Sequence, residues 1–381
     1  MSEAMRRRVR RSRRARIGAS VAAVSTAAVL IASGSSASAH STARASASLL
    51  PATVHPPTFN DAKLFGIRNA LSKAMKGKNV KSVNTWMVVN ILATYWVAGK
   101  DGNAAAAKEL GVAAHFEGPS QGQLSTQVSE YNTLAASGAN GMFTSVIDPV
   151  SEGSTINKAE SKGVNVVAID SPVPAKNAKT FVYVGTPNTA AGEAAGEAMK
   201  KALPGGGDVA ILEGSSTATN SLQRIAGFKA ALKGSKITVK TVQNDNGSAA
   251  TAASNADSVI AGNPSLKGIY GVYSYDGPAA SVAVKAKGDT GKIHVVADDT
   301  EPGTITGLQN GTVSASIIQQ PFMQGYLGTY ITTAMKVLGK SKTASLIKPF
   351  ETGGQISTGV GTLTKANLKQ DVTYNKTISA Y

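Results

Sequence analysis

Residues 181–212 read FVYVGTPNTAAGEAAGEAMKKALPGGGDVAIL. Phe181–Val184 is an apolar run of strand length, Thr189–Leu203 is a helical stretch, and Val209–Leu212 is a second apolar run. Near-continuous apolar strands on either side of a helix suit a parallel sheet covered on both faces. The glycines at 205–207 could suggest a phosphate loop, but such a loop follows a strand and opens a helix. Here Pro204-Gly205-Gly206-Gly207-Asp208 follows a helix and opens a strand. It reads as a helix-to-strand turn.

The alternation extends in both directions. Upstream lie strand-like runs at Thr85–Ile91, Val112–Phe116, Gly141–Ser145 and Val164–Ile169. Downstream lie Ile237–Val242, Gly268–Val272, Ile293–Ala297 and Val313–Ile318. Helical stretches separate most of them, among them Ala98–Leu110, Gln123–Ala136, Ser221–Leu232, Ala250–Ile260, Ala279–Ala286 and Tyr326–Leu338. Gly111, Gly163 and Gly234 mark helix ends. Ten strands within 381 residues suit an α/β fold of two doubly wound lobes. Ligands of such sheets bind beyond the carboxyl ends of the strands, so the residues there carry the functional reading.

The N-terminus differs in kind. Arg6–Arg16 is a charged region, Ile17–Ala32 is apolar, and Ala37-Ser38-Ala39 fits a small-residue cleavage site. This is the layout of a secretory signal peptide, so the protein is expected in the periplasm or on the outer face of a bacterial cell envelope. Ser12-Arg13-Arg14 is a partial twin-arginine pattern. A leader rich in Ser, Ala, Thr and Pro follows, then an amphipathic helix over Asn60–Lys76 with Leu64, Ile67, Leu71 and Met75 at helical spacing.

Composition excludes several classes. The hydrophobic fraction of 42% rules out disorder along the whole chain. The absence of cysteine removes disulfides, thiolate metal sites, cysteine nucleophiles and a lipidated cysteine. Eight of the arginines and one acid fall in residues 1–39, which leaves 31 basic against 22 acidic residues and only +9 of the +16 net charge. No basic cluster remains to grip nucleic acid. His40, His55, His115 and His294 form no i,i+3 or i,i+4 pair, so no metal is expected. G-x-S-x-G, P-loop and H-E-x-x-H motifs are absent, and no dinucleotide fingerprint is present. No cofactor and no enzymatic activity are expected.

The strand ends instead carry Tyr95-Trp96, Asp170-Ser171-Pro172, Asn220 with Arg224, Tyr273-Ser274-Tyr275-Asp276, Asp298-Asp299 and Gln319-Gln320. Carboxylates, amides and a guanidinium bind hydroxyls in pairs, and aromatic faces cover the C–H face of a sugar ring. Each has a plain structural reading too. Trp96 reads equally as core, Asp170 as a turn residue, Arg224 as a solvated helix residue, and Asn220 as a helix N-cap. Only one of Asp298 and Asp299 should face the cleft, and one of Gln319 and Gln320 should be structural.

These residues, in this order, resemble the type 1 periplasmic binding proteins of sugar ABC transporters, the ribose- and galactose-binding group. The resemblance runs from about Thr85 to Lys340. It is strongest at Tyr95-Trp96 with Lys100-Asp101-Gly102, at Tyr183-Val184-Gly185-Thr186 through Ala190-Ala191-Gly192, and at Arg224-Ile225-Ala226-Gly227-Phe228-Lys229. Tyr275-Asp276-Gly277-Pro278 and Ile318-Gln319-Gln320-Pro321-Phe322 add to it.

The resemblance implies two Rossmann-like lobes joined by three crossings, near Thr186–Asn188, Ile318–Pro321 and Ile347–Phe350. Residues 1–39 are then the signal peptide and 40–84 the leader and helix. Lobe 1 takes 85–187 plus 319–346, and lobe 2 takes 188–318 plus 347–381. The implied ligand contacts are Tyr95, Trp96, Ser145, Asp170, Asn220, Arg224, Tyr273, Asp276, Asp299 and Gln319.

The chain departs from the ribose binders at five places: Ala93, Ser145 and Tyr273 stand where those carry an asparagine, Ser171 replaces an arginine, and Asp245-Asn246-Gly247 stands in place of a second-lobe aromatic. The expected partners are a small sugar or polyol and an ABC transporter permease, with the protein acting as a monomer. A sugar sensor of the same fold is the main rival. A hydrolase using Asp170 and Asp299 is a weaker one, as is a transcriptional regulator, which would carry an N-terminal helix-turn-helix.

Overall fold

The computed structural model describes Phe59 and residues 61–369. The expected signal peptide at 1–39 and leader at 40–58 lie outside the described residues, as do residues 370–381 of the expected second lobe. The described chain opens with α1 (Asp61–Met75) and then alternates: β1 (Asn84–Val88), α2 (Tyr95–Leu110), β2 (Ala113–Glu117), α3 (Leu124–Ser137), β3 (Gly141–Thr144), α4 (Pro149–Ser161), β4 (Asn165–Ile169) and β5 (Tyr183–Gly185). After α5 (Asn188–Ala202) come β6 (Gly207–Glu213), α6 (Thr219–Ala231), β7 (Ile237–Asn244), α7 (Ala249–Gly262), β8 (Leu266–Gly271), α8 (Asp276–Ala286), β9 (His294–Asp298), α9 (Pro302–Asn310) and β10 (Val313–Ile318). The chain closes with α10 (Pro321–Leu338), α11 (Lys340–Ile347), β11 (Gln355–Ser357) and β12 (Gly361–Leu363).

Among the described residues the strands form two six-stranded sheets, in the orders β11-β5-β4-β3-β1-β2 and β12-β10-β9-β8-β6-β7. Every pairing is parallel except β10 with β12. This is the expected α/β, two-lobed architecture. The central strands β3 and β4 are buried at every position, as their largely apolar sequence requires, with Thr144 and Asn165 the polar exceptions. The edge strand β2 is half-exposed along its length.

The quoted stretch 181–212 joins the two lobes. β5 belongs to the first sheet and β6 to the second, so α5 leads the chain from one lobe into the other. The chain returns after β10, and α10 packs against α2 and β4 of the first lobe. The third crossing differs from the expectation at Ile347–Phe350. β11 pairs with β5 and β12 pairs with β10, so the chain leaves the first sheet only after Ser357. Two three-residue strands give too short an apolar run to be seen by periodicity.

The N-terminal helix also belongs to the first lobe, although the sequence boundary left it outside. Leu64, Ile67, Leu71 and Met75 of α1 are all buried, and α1 packs on α10 and α11. Arg68 pairs with Glu109 of α2 at 3.3 Å, and Glu109 accepts from the hydroxyls of Tyr326 at 2.7 Å and Tyr330 at 2.6 Å.

Candidate functional site

The cleft forms where the carboxyl ends of both sheets meet. It is lined from the first lobe by Asn90, Ile91, Ala93, Tyr95, Trp96 and Asp170. The second lobe contributes Asn220, Arg224, Tyr273, Ser274, Tyr275 and Asp299, and Gln319 lies on the second crossing.

Local sequence explains how each group arrives. Asp170 follows β4 and Asp299 follows β9, and both adopt left-handed backbone, with φ of 56° and 68°. Non-glycine residues seldom hold that conformation, and Asp and Asn tolerate it best. The turn breaks the alternation of the strand and brings the carboxylate over the strand end. Asn220 and Arg224 are one turn apart on α6, so both face the cleft.

Arg224, only 2% exposed, organises the polar centre. Its Nε donates to Asn188 Oδ1 at 3.0 Å. One terminal nitrogen donates to the Val272 carbonyl at 3.2 Å and to Asp298 Oδ2 at 3.0 Å. The other donates to Gln319 Oε1 at 2.6 Å and lies 3.6 Å from Asp170 Oδ1. Asp170 also accepts from Ser145 Oγ at 2.7 Å and from Asn220 Nδ2 at 3.0 Å. Gln319 donates to Asp299 Oδ1 at 2.8 Å and accepts from Thr186 Oγ1 on the first crossing at 2.7 Å. The two lobes therefore touch through side chains at the hinge and at the cleft wall. Toward the mouth, Glu301 Oε1 accepts from the Tyr95 N–H at 3.2 Å and from Ser274 Oγ at 3.0 Å, and Thr217 Oγ1 donates to the Ile147 carbonyl at 3.1 Å.

Eight of the ten residues expected at the site line the cleft: Tyr95, Trp96, Asp170, Asn220, Arg224, Tyr273, Asp299 and Gln319. Two do not. Ser145 is fully buried behind Asp170 and spends its hydroxyl on that carboxylate. Asp276 is also fully buried; it accepts the Tyr273 N–H at 2.9 Å and lies against Asp245. Burial and the neighbouring Asp245 carboxyl push the Asp276 carboxyl well above its ordinary value.

The paired alternatives resolve. Asp299 lines the cleft, while Asp298 points inward to Arg224 and Tyr270. Gln319 takes the cleft position and Gln320 is 3% exposed beside it. Trp96 does both jobs: it belongs to the core, and its indole N–H donates to Asn90 Oδ1 at 3.0 Å at the cleft wall. Asn220 is not an N-cap, since Ala218 holds that position.

Asp245-Asn246-Gly247 supplies no central contact. Asp245 accepts from Tyr275 and from the N–H groups of Gly247 and Ser248, which shapes the turn before α7. The second-lobe aromatics of the cleft are Tyr273 and Tyr275, packed edge to face at 6.0 Å. Asn90 and Tyr275 were not singled out as contacts from sequence. Tyr275 stands among the strand-end residues of the sequence though not among the implied contacts, whereas Asn90 lies inside the run Thr85–Ile91 and comes past a strand only because β1 ends at Val88.

Burial governs the ionisation of the site. Desolvation pushes the Asp298 carboxyl up to about 7 and lifts Asp170, against the pull of Arg224. Deeper in the first lobe, Glu152 is pushed up to about 8 by burial, although it accepts from Tyr131 at 2.9 Å. A carboxyl raised in the folded state contributes its full stability below the unfolded pKa and loses it as pH rises through the folded one. The ligand-free protein is therefore expected to melt at a higher temperature at pH 5 than at pH 8. A calorimetric series across that range checks it, and a melting temperature that rises toward pH 8 would refute the assignment.

Tyr273 gives a second test. Its hydroxyl is buried without a hydrogen-bond partner, a state that costs about 1–3 kcal/mol. Tyr273→Phe is expected to leave the ligand-free protein at least as stable as the parent while weakening ligand binding. Chemical denaturation together with titration calorimetry separates the two effects.

Among the described residues no group of His, Asp and Glu is placed to hold a metal ion, and no helix is long and apolar enough to cross a membrane. Residues 85–341 match the family model of the periplasmic binding protein domain. The chain belongs to that family. As a periplasmic binding protein it is a solute-binding protein and not an enzyme. It is 30% identical over 262 residues to the D-ribose/D-allose-binding protein of Pseudomonas aeruginosa, covering 66% of this chain and 81% of that one. A solved ABC transporter solute binding protein of Burkholderia graminis, in complex with D-arabinose, is 30% identical with a TM-score of 0.68, over 76% of this chain and 98% of that one. The XylFII-LytSN complex contains a chain 25% identical with a TM-score of 0.66, over 75% of this chain and 98% of that one.

Proposed function

We propose that this periplasmic binding protein captures a monosaccharide or related polyol in the interlobe cleft, and that it is exported and delivers the ligand to an ABC transporter permease. The observation that carries the reading is the polar centre in which Asp170, Arg224, Gln319 and Asp299 meet beneath Tyr95 and Trp96. Ring hydroxyls both donate and accept, so they can replace the contacts these groups make with one another. The aromatic pair, edge to face at 4.8 Å, offers an apolar wall to the C–H face of a sugar. The relatives that bind ribose, allose and arabinose support the same class of ligand.

Binding works through closure. A ligand that contacts both lobes favours the closed arrangement by its better fit there. A sensor role is the second reading, and the XylFII-LytSN complex favours it, because a protein of this fold is there joined to a different partner.

Thermal melting of the chain from residue 40 onward, against pentoses, hexoses, polyols and amino acids, tests the reading. A ligand present at about a thousand times its dissociation constant adds about 4 kcal/mol, which raises the midpoint by several degrees. A shift with a sugar or polyol is the expected result. A shift with amino acids alone overturns the ligand class.

A further inference from the structure

The charges that converge on the cleft do not balance. Among the described residues Arg224 is the one cationic side chain lining it, and it stands among three carboxylates: Asp298 at 3.0 Å, Asp170 at 3.6 Å, and Asp299. The three are buried, at 1%, 4% and 7% exposure. Asp298 is matched by Arg224 and by the Tyr270 hydroxyl. Asp170 has the hydroxyl of Ser145 and the amide of Asn220. Asp299 accepts from one side-chain group, the Gln319 amide. Fully ionised, the set would carry two negative charges in excess; burial therefore raises the carboxyls, Asp298 to about 7 and Asp299 well above its ordinary range, and the protons that relieve the ligand-free site are what an entering cation would displace. Hydroxyl groups would supply hydrogen bonds to Asp170 and Asp299 but no positive charge.

The surroundings suit a cation. Tyr95 lies in the field of both Asp170 and Asp299, which together with burial raise its phenol. An ammonium held near these two carboxylates would therefore also lie near an aromatic ring, whose face attracts positive charge. A separate feature also points to a ligand. Tyr273 lines the same cavity, and its hydroxyl is buried with no partner among the described residues. It is free to bond a hydroxyl of the molecule that enters.

We propose that the ligand is an amine-bearing sugar or polyol, its ammonium held between Asp170 and Asp299 beside Tyr95 and one of its hydroxyls bonded to Tyr273. This deepens the sugar-binding reading and rests on it. No bond is made or broken in the capture.

The test is titration calorimetry at pH 7 with matched pairs: D-glucosamine against D-glucose, D-galactosamine against D-galactose, and 1-amino-1-deoxy-D-sorbitol against D-sorbitol. At least one amine is expected to bind about tenfold or more tighter than its hydroxyl parent, since charge-assisted hydrogen bonds are roughly twice as strong as neutral ones. In Asp299→Asn both affinities should fall, the amine's about tenfold more than the parent sugar's, so that the preference shrinks about tenfold. Parents that equal or outbind their amines overturn the proposal and leave the sugar-binding function standing. The same holds if the amines fail and a neutral pentose binds. If no sugar, polyol or amine in either panel binds, both readings fall together.

Discussion

Arg224→Ala is expected to abolish ligand binding and to lower the stability of the ligand-free protein by about 3–5 kcal/mol at neutral pH. Burial is the reason for the second effect. The guanidinium is 2% exposed and lies 3.0 Å from Asp298, itself 1% exposed. Truncating one partner of such a pair leaves the other as an uncompensated buried charge. The variant also takes a donor from Asn188 Oδ1 and one of two donors from Gln319 Oε1, which keeps the Thr186 hydroxyl.

The loss should depend on pH in a stated direction. Without Arg224 the Asp298 and Asp170 carboxyls rise further, because desolvation already lifts them and the opposing attraction is gone. At pH 5 they are more fully protonated and the uncompensated charge disappears, so the variant should recover much of the deficit there. Urea denaturation of parent and variant at pH 5 and pH 8 measures it. An equal deficit at both pH values would mean that packing, and not charge, is what Arg224 provides.

The second large effect is expected at Gly192→Ala, at a residue outside the cleft lining. A Cβ at Gly192 of α5 would lie 1.9 Å from the carbonyl oxygen of Arg224 itself, and one at Gly227 of α6 would lie 2.1 Å from the carbonyl oxygen of Thr189. The two helices thus touch backbone to backbone, each glycine seated against the other helix. Adding a methyl group forces them apart, and overpacking of this kind costs about 1–3 kcal/mol or more. The displaced segment is the turn of α6 that carries Arg224, so ligand affinity should fall together with stability. Denaturation and titration of this one variant test the coupling. Unchanged affinity with lowered stability would show that the guanidinium holds its place independently of the helix contact. The sequence marked Gly192 and Gly227 only as part of a resemblance, and the contact between α5 and α6 supplies their physical reason.

Much of the architecture was legible without coordinates. Strands such as Val164–Ile169 are apolar at almost every position, and only a strand covered on both faces tolerates that. Glycines at helix ends, such as Gly111 with φ of 70°, punctuated the alternation where left-handed backbone is needed. Periodicity and punctuation are local properties, so the sequence expresses them directly. The site residues were legible for a related reason. In a parallel sheet every strand points its carboxyl end the same way, so a list of residues following the strands is already a list of cleft candidates.

What the sequence could not express is which of two neighbours faces the cleft and which atoms meet across lobes. Asp298 and Asp299 are the same residue type side by side. Only the left-handed turn at Asp299, with φ of 68°, and the position of Arg224 on another element separate a ligand-facing carboxylate from a buried partner. Ser145 and Asp276 follow the same pattern. Both lie near strand ends, yet each is occupied with a neighbour, Asp170 or Asp245, that is distant in sequence. The last crossing was missed because β11 and β12 are three residues long, and pairing with β5 and β10, rather than intrinsic preference, makes them strands. Local chemistry determined the elements and the candidates for the cleft. The balance of buried charge was decided by tertiary structure, because it depends on distances between residues that the chain brings together only when both lobes are folded.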